Sequence, residues 1–273
     1  MLQAMRATIF AATLALAGAS AQARNPFDGL WVDDLGTQAG EAGFDTYLVS
    51  NGTYKCESCH PPRSYPADGE MRPVGGGPSL VSESVRVAGP RTIVTRIVDR
   101  DMTRETTMTV ARCDCMATYV SLDRWPGRTK RLRTEYVAER VAPAPAGSHA
   151  VSGSWRGLRY VEVPEEYRSV DLREANGRFT RSNFRRGRYT ATIGGSSVPI
   201  TGDGKDIYKA SVRAPDARTR IETILLNEKP LVERTYRLSA DGKSMVTTVR
   251  NLEDGAVFST ISRRKQVTSN LRR

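Results

Sequence analysis

The chain has 273 residues, 39% of them hydrophobic, with 41 Lys and Arg against 30 Asp and Glu. That length suits about two domains, and that apolar content supports packed cores, which excludes wholesale disorder. Only two histidines occur, His60 and His149, so a histidine-rich metal centre or histidine-based catalytic apparatus has almost no raw material.

Residues 1–23 read as a signal peptide. Arg6 supplies the positive charge, Ala7 to Ala19 is small and apolar, and Ala21-Gln22-Ala23 gives a small-x-small cleavage pattern. The apolar stretch is too short to span a bilayer. The expectation is an exported protein, periplasmic or extracellular, whose mature chain starts at Arg24. In an oxidising compartment Cys56, Cys59, Cys113 and Cys115 are disulfide candidates.

The mature chain repeats itself. Gly29-Leu30-Trp31 is echoed by Gly153-Ser154-Trp155, Ser84-Val85-Arg86 by Ser211-Val212-Arg213, and Arg91-Thr92 by Arg218-Thr219. Met116 to Val120 is echoed in the same order by Met245 to Val249. A Pro/Ala linker at 141–150 separates a first domain, 24–140, from a second, 151–266, and a basic tail, 267–273, follows. Both halves alternate with period two and are rich in β-branched residues, as at Thr92–Arg100, Thr106–Val110 and Ser244–Arg250. Asn51-Gly52, Asn176-Gly177 and Asp241-Gly242 supply tight hairpin turns. No segment carries a sustained helical period. The fold class is therefore all-β: two tandem antiparallel meanders of roughly eight strands each, closed as barrels or curved as half-barrels. Trp31 and Trp155 are expected to plug barrel ends, and the scattered acidic residues to lie on solvated faces.

The Gly-x-Trp starts, the meander, Tyr54-Lys55-Cys56-Glu57-Ser58-Cys59-His60-Pro61 and Asp241-Gly242-Lys243-Ser244-Met245 together resemble a group of exported bacterial proteins with two lipocalin-like repeats. The resemblance covers nearly the whole mature chain. It implies a β-barrel-like fold and no particular activity. Cys113-Asp114-Cys115 departs from it, standing where an Asp-Gly-Lys turn is expected and placing a simple hairpin there in doubt.

Matching Tyr54 with Tyr189 and Pro73 with Pro199 makes the segment from Cys59 to about Asp68 an addition peculiar to the first half. Tyr54, His60 and Tyr65 are its candidate ligand contacts. Three readings of the sulfur chemistry compete. The first is structural disulfides, either linking the 56/59 pair to the 113/115 pair or local between Cys56 and Cys59. The second is covalent haem c on Cys56-Glu57-Ser58-Cys59-His60, with the histidine on iron, opposed by Pro61-Pro62 blocking helix. The third is a four-thiolate metal or redox site.

No catalytic residue is assigned. The leading expectation is a non-enzymatic binding protein, without cofactor, for a small or lipidic ligand or an envelope component. Its alternative is an electron carrier using Cys56, Cys59 and His60. The basic tail could draw an anionic envelope component, but no aromatics interleave with its bases, so specific nucleic-acid binding is not expected.

Overall fold

A computed structural model describes residues 25–40, 44–59, 62–74, 80–99, 102–185, 187–202 and 207–266. Residues 1–23, read above as a signal peptide, together with His60, Pro61 and the tail 267–273, lie outside the described residues. Strand accounts for 67% of the chain and helix for 2%, so the all-β expectation holds.

The first half contributes β1 (Gly29–Gly40), β2 (Phe44–Ser50), β3 (Thr53–Cys56), β4 (Arg63–Pro66), β5 (Arg72–Pro73), β6 (Leu80–Gly89), β7 (Thr92–Asp99), β8 (Thr103–Val110), β9 (Met116–Arg124) and β10 (Leu132–Ala142). The second contributes β11 (Gly153–Glu162), a single helical turn α1 (Glu165–Arg168), β12 (Ser169–Ala175), β13 (Arg178–Asn183), β14 (Gly187–Thr192) and β15 (Val198–Pro199). It ends with β16 (Tyr208–Asp216), β17 (Thr219–Leu226), β18 (Lys229–Leu238), β19 (Ser244–Asn251) and β20 (Val257–Arg264). Alternation produces these strands directly: along β9, Ala117, Tyr119, Ser121 and Asp123 are buried while their neighbours face outward. At two of the hairpins, Asn51 and Gly52 (φ 49° and 70°) and Asn176 and Gly177 (φ 52° and 68°) take the left-handed conformations such turns demand.

Two ten-stranded antiparallel sheets result, and each takes one strand from the other half of the chain. β1, grouped by sequence with residues 24–140, lies between β12 and β20. β11, grouped with residues 151–266, lies between β10 and β2. The exchange is reciprocal: each opening strand occupies the slot its counterpart would fill. The Pro/Ala linker becomes the loop of the β10–β11 hairpin, and the chain returns to the second sheet through α1.

Both barrels carry the same plug. Gly29 and Gly153 adopt φ of 141° and 113° at the strand entrances. The indole N–H of Trp31 donates to Phe27 O at 2.8 Å, and that of Trp155 to Val151 O at 2.9 Å. Opposite each Trp, in register on the neighbouring strand, an arginine stacks over the indole: Arg264 at 4.7 Å from the Trp31 ring and Arg140 at 4.1 Å from the Trp155 ring. Arg264 and Lys265, just ahead of the basic tail, are thus built into the structure, Lys265 pairing with Glu165.

The interiors differ. In the second barrel β14 packs beside β15 and β16, and Gly194 N–H donates to Val212 O at 2.8 Å, so the sheet nearly closes. Its centre is filled by ions. Glu222 is fully buried, accepts hydrogen bonds from Arg234 and from Tyr236 OH (3.1 Å), and lies 3.7 Å from Arg181. These charges correct the expectation of solvated acidic faces: three strands aim them inward, where each needs the others. In the first barrel the segment just past β4 meets β6 in the corresponding way, Gly69 N–H donating to Val85 O at 2.9 Å with Asp68 bridged to Arg86. But β4 itself packs less against β5 and β6 than β14 does against β15 and β16, and this sheet is the half-barrel.

A small cluster joins the barrels. Tyr167 of α1 donates to Asp123 Oδ2 at 2.6 Å and accepts from Trp125 Nε1 at 2.7 Å, while Arg128 lies 4.4 Å over Phe184.

Candidate functional site

Tyrosines converge inside the half-barrel. β2 supplies Tyr47, β3 Tyr54, β4 Tyr65, β9 Tyr119 and β10 Tyr136, all packed against one apolar core that Trp155 floors. Strand periodicity puts them there: Tyr54 and Tyr65 are cross-strand partners with ring centroids 5.6 Å apart, and Tyr119 and Tyr136 are partners stacked at 4.4 Å. Tyr47 stacks on Tyr54 at 5.9 Å, and Tyr160 of β11 continues the series beside Tyr136 at 5.8 Å. Sequence reasoning singled out Tyr54 and Tyr65 and missed the others. Their inward positions on alternating strands were the available signal.

Charge is arranged around this belt. Glu83, 3% exposed, holds Arg63 at 2.5 Å. Burial pushes the phenols of Tyr54, Tyr65 and Tyr119 far above their ordinary range, and the Glu83 carboxylate adds to the effect at Tyr54 and Tyr65. All three are therefore neutral hydrogen-bond donors at any physiological pH. The hydroxyls of Tyr65 and Tyr119, and Nε of Arg63, are buried without a hydrogen-bond partner. Most buried polar groups in folded proteins are paired, so three unpaired donors around one core are an unusual concentration.

The cysteines pair locally. Cys56 bonds Cys59, with Cα atoms 5.4 Å apart, and Cys113 bonds Cys115, with Cα atoms 5.1 Å apart. The long-range link between the two pairs is not formed: Cys56 is 1% exposed inside the half-barrel, whereas Cys113 and Cys115 are exposed at the β8–β9 tip. Thioether attachment of haem would need the Cys56 and Cys59 sulfurs, which are bonded to each other. No group of His, Cys, Asp and Glu suited to a metal ion occurs among the described residues.

Sheet register also revises the matching of the halves. The shared Asn-Gly turns place Tyr54 opposite Phe179, not Tyr189, and Cys56 opposite Arg181. Residues 57–62 between Cys56 and its partner Arg63 then answer to residues 182–188 between Arg181 and its partner Tyr189. The cysteine loop is thus a replacement of an existing hairpin end, not an added segment. Likewise Ala117, buried, corresponds to buried Met245, so the Met116–Met245 echo was one residue out of step.

Compared with known proteins, the chain matches no family model, no curated protein and no solved structure.

Proposed function

We propose that this is an exported, lipocalin-like binding protein whose first barrel takes a small amphipathic ligand and whose second barrel is a solid support. The observation that carries this reading is the pair of buried, unpartnered hydroxyls of Tyr65 and Tyr119 in a tyrosine-lined half-barrel. The stacked rings favour an apolar or planar ligand body, and the phenols favour an acceptor, such as a carbonyl or carboxylate, at its buried end. The second barrel makes the contrast: in the same architecture its centre is occupied by Arg181, Glu222 and Arg234.

Titration of the mature chain with a dansylated fatty acid tests the reading. Saturable binding of one probe per chain is expected, weakened about fivefold by Tyr119→Phe, the equivalent of one hydrogen bond. A linear, non-saturating response, or unchanged affinity in both Tyr119→Phe and Tyr65→Phe, overturns it. Export is tested separately, by fractionating cells that express the full chain and looking for the form that begins at Arg24.

A further inference from the structure

We propose that the Cys113–Cys115 disulfide is a thiol-exchange site that oxidises a dithiol partner. The other role for such a bond is to brace the hairpin, and the second barrel shows that the hairpin needs no covalent brace. There Ser244 N–H donates to Ser239 Oγ and Lys243 N–H to Asp241 Oδ1, both at 3.1 Å, and in the first barrel Arg91 already binds Ala111 O and Asp114 across the turn. The turn between β18 and β19 is closed by Ser239 N–H to Ser244 O at 2.9 Å and Gly242 N–H to Ser239 O at 3.0 Å. The β8–β9 turn has the same two bonds, Ala111 N–H to Met116 O at 2.8 Å and Asp114 N–H to Ala111 O at 3.0 Å. Asp114 takes φ of 57° where Gly242 takes 66°. The turn is the same with Cys113-Asp114-Cys115 as with Asp241-Gly242-Lys243. The doubt over a simple hairpin at this point is resolved in favour of one. A sulfur bridge across so short a loop also removes little freedom from the unfolded chain.

The surroundings suit exchange. Residues 111–115 are all exposed, so an incoming thiolate can reach the bond. The backbone N–H of Cys115 donates to Cys113 Sγ at 3.3 Å, a contact that would hold negative charge on that sulfur. Two guanidiniums bracket the turn: Arg91 binds Ala111 O and Asp114, and Arg140 Nε donates to Asp114 O at 2.5 Å. The donated hydrogen bond stabilises a thiolate on Cys113, which makes it the better leaving group. One thiolate of the partner therefore attacks Cys115 Sγ, the Cys113–Cys115 bond breaks, and Cys113 departs as the thiolate. The partner's second thiol, after losing its proton to solvent, attacks its own sulfur in the mixed disulfide and releases Cys115. Two electrons pass to the protein, and the partner leaves with one new disulfide.

The test uses the mature chain in reduced glutathione and, separately, with a reduced dithiol peptide, followed by alkylation and mass mapping of the thiols. Cys113–Cys115 is expected to open at least about tenfold faster than Cys56–Cys59, with the first glutathione adduct on Cys115. The Cys113→Ala/Cys115→Ala variant is expected to keep its Tm within about 2 °C and to lose peptide oxidation. Oxidation of the peptide with little turnover of glutathione supports a dithiol partner, and turnover of glutathione without oxidation of the peptide overturns it. Opening no faster than Cys56–Cys59, an adduct on Cys113, a double variant that unfolds, or failure to oxidise either thiol overturns the proposal. None of these outcomes bears on the ligand site in the half-barrel.

Discussion

Protonating or removing the Glu222 carboxylate should cost the second barrel more than any comparable change on its surface. Burial by itself would raise this carboxyl, but Arg234 and Arg181 outweigh it and hold the group down at about 2 against an ordinary 4.5. A depressed carboxyl contributes stability that is fully present above about pH 4.5 and drains away as pH falls towards about 2. The gap between those two values corresponds to about 3 kcal/mol. Glu222→Gln should lose about 3–5 kcal/mol at neutral pH, because it leaves Arg234 and Arg181 buried without an anion. Urea unfolding of both proteins from pH 7 down to about pH 3 measures this, with amide hydrogen exchange on β17 and β18 localising the effect to the second barrel. The difference between wild type and variant should be greatest at neutral pH and shrink with acid. A difference that stays constant across the range, or is below about 1 kcal/mol at neutral pH, refutes the reasoning.

Three other outcomes follow from particular contacts. Gly153→Ala places a Cβ at 2.6 Å from Ala142 O on a backbone at φ 113°, and should lower the Tm of the first barrel by several degrees in a thermal melt. Tyr167→Phe strands the Trp125 indole N–H and removes a donor from Asp123, costing about 1–2 kcal/mol and speeding proteolysis at the α1 crossing between the barrels. If the chain is cut within the linker, near Ala146-Gly147, each piece holds the opening strand of the other's sheet. The separate pieces should stay unfolded by circular dichroism and regain sheet signal when refolded together; either piece folding alone contradicts the exchange.

Much of this fold is legible in the amino-acid sequence because period-two alternation and Asn-Gly turns are local signals. The exchange of β1 and β11 is not, because both strands open with Gly-x-Trp and meet equivalent neighbours. A strand's own residues say that it pairs, and seldom with which of two similar sheets. Matching the repeats by residue type failed where register mattered: a shift of one residue turns a side chain to the other face of the sheet, as half-buried Met116 and buried Met245 show. The ion cluster of Arg181, Glu222 and Arg234 was hidden for a related reason, since an inward charge on one strand becomes intelligible only beside its partners on others. Of the proposed ligand contacts, Tyr54 and Tyr65 do meet inside the half-barrel, whereas His60 lies outside the described residues. Disulfide pairing could not be read at all, because four cysteines permit three arrangements and spacing does not choose among them.

Trading opening strands has a lasting consequence for how such a protein can change. An ordinary tandem duplication can shed one copy and survive as a single module. Here deletion of either copy would take with it the plug that seals the survivor, so the pair is inherited or lost together. Bound in that way, the copies are free to diverge in content while their frame stays common, one interior silted up with charge and the other lined with tyrosine.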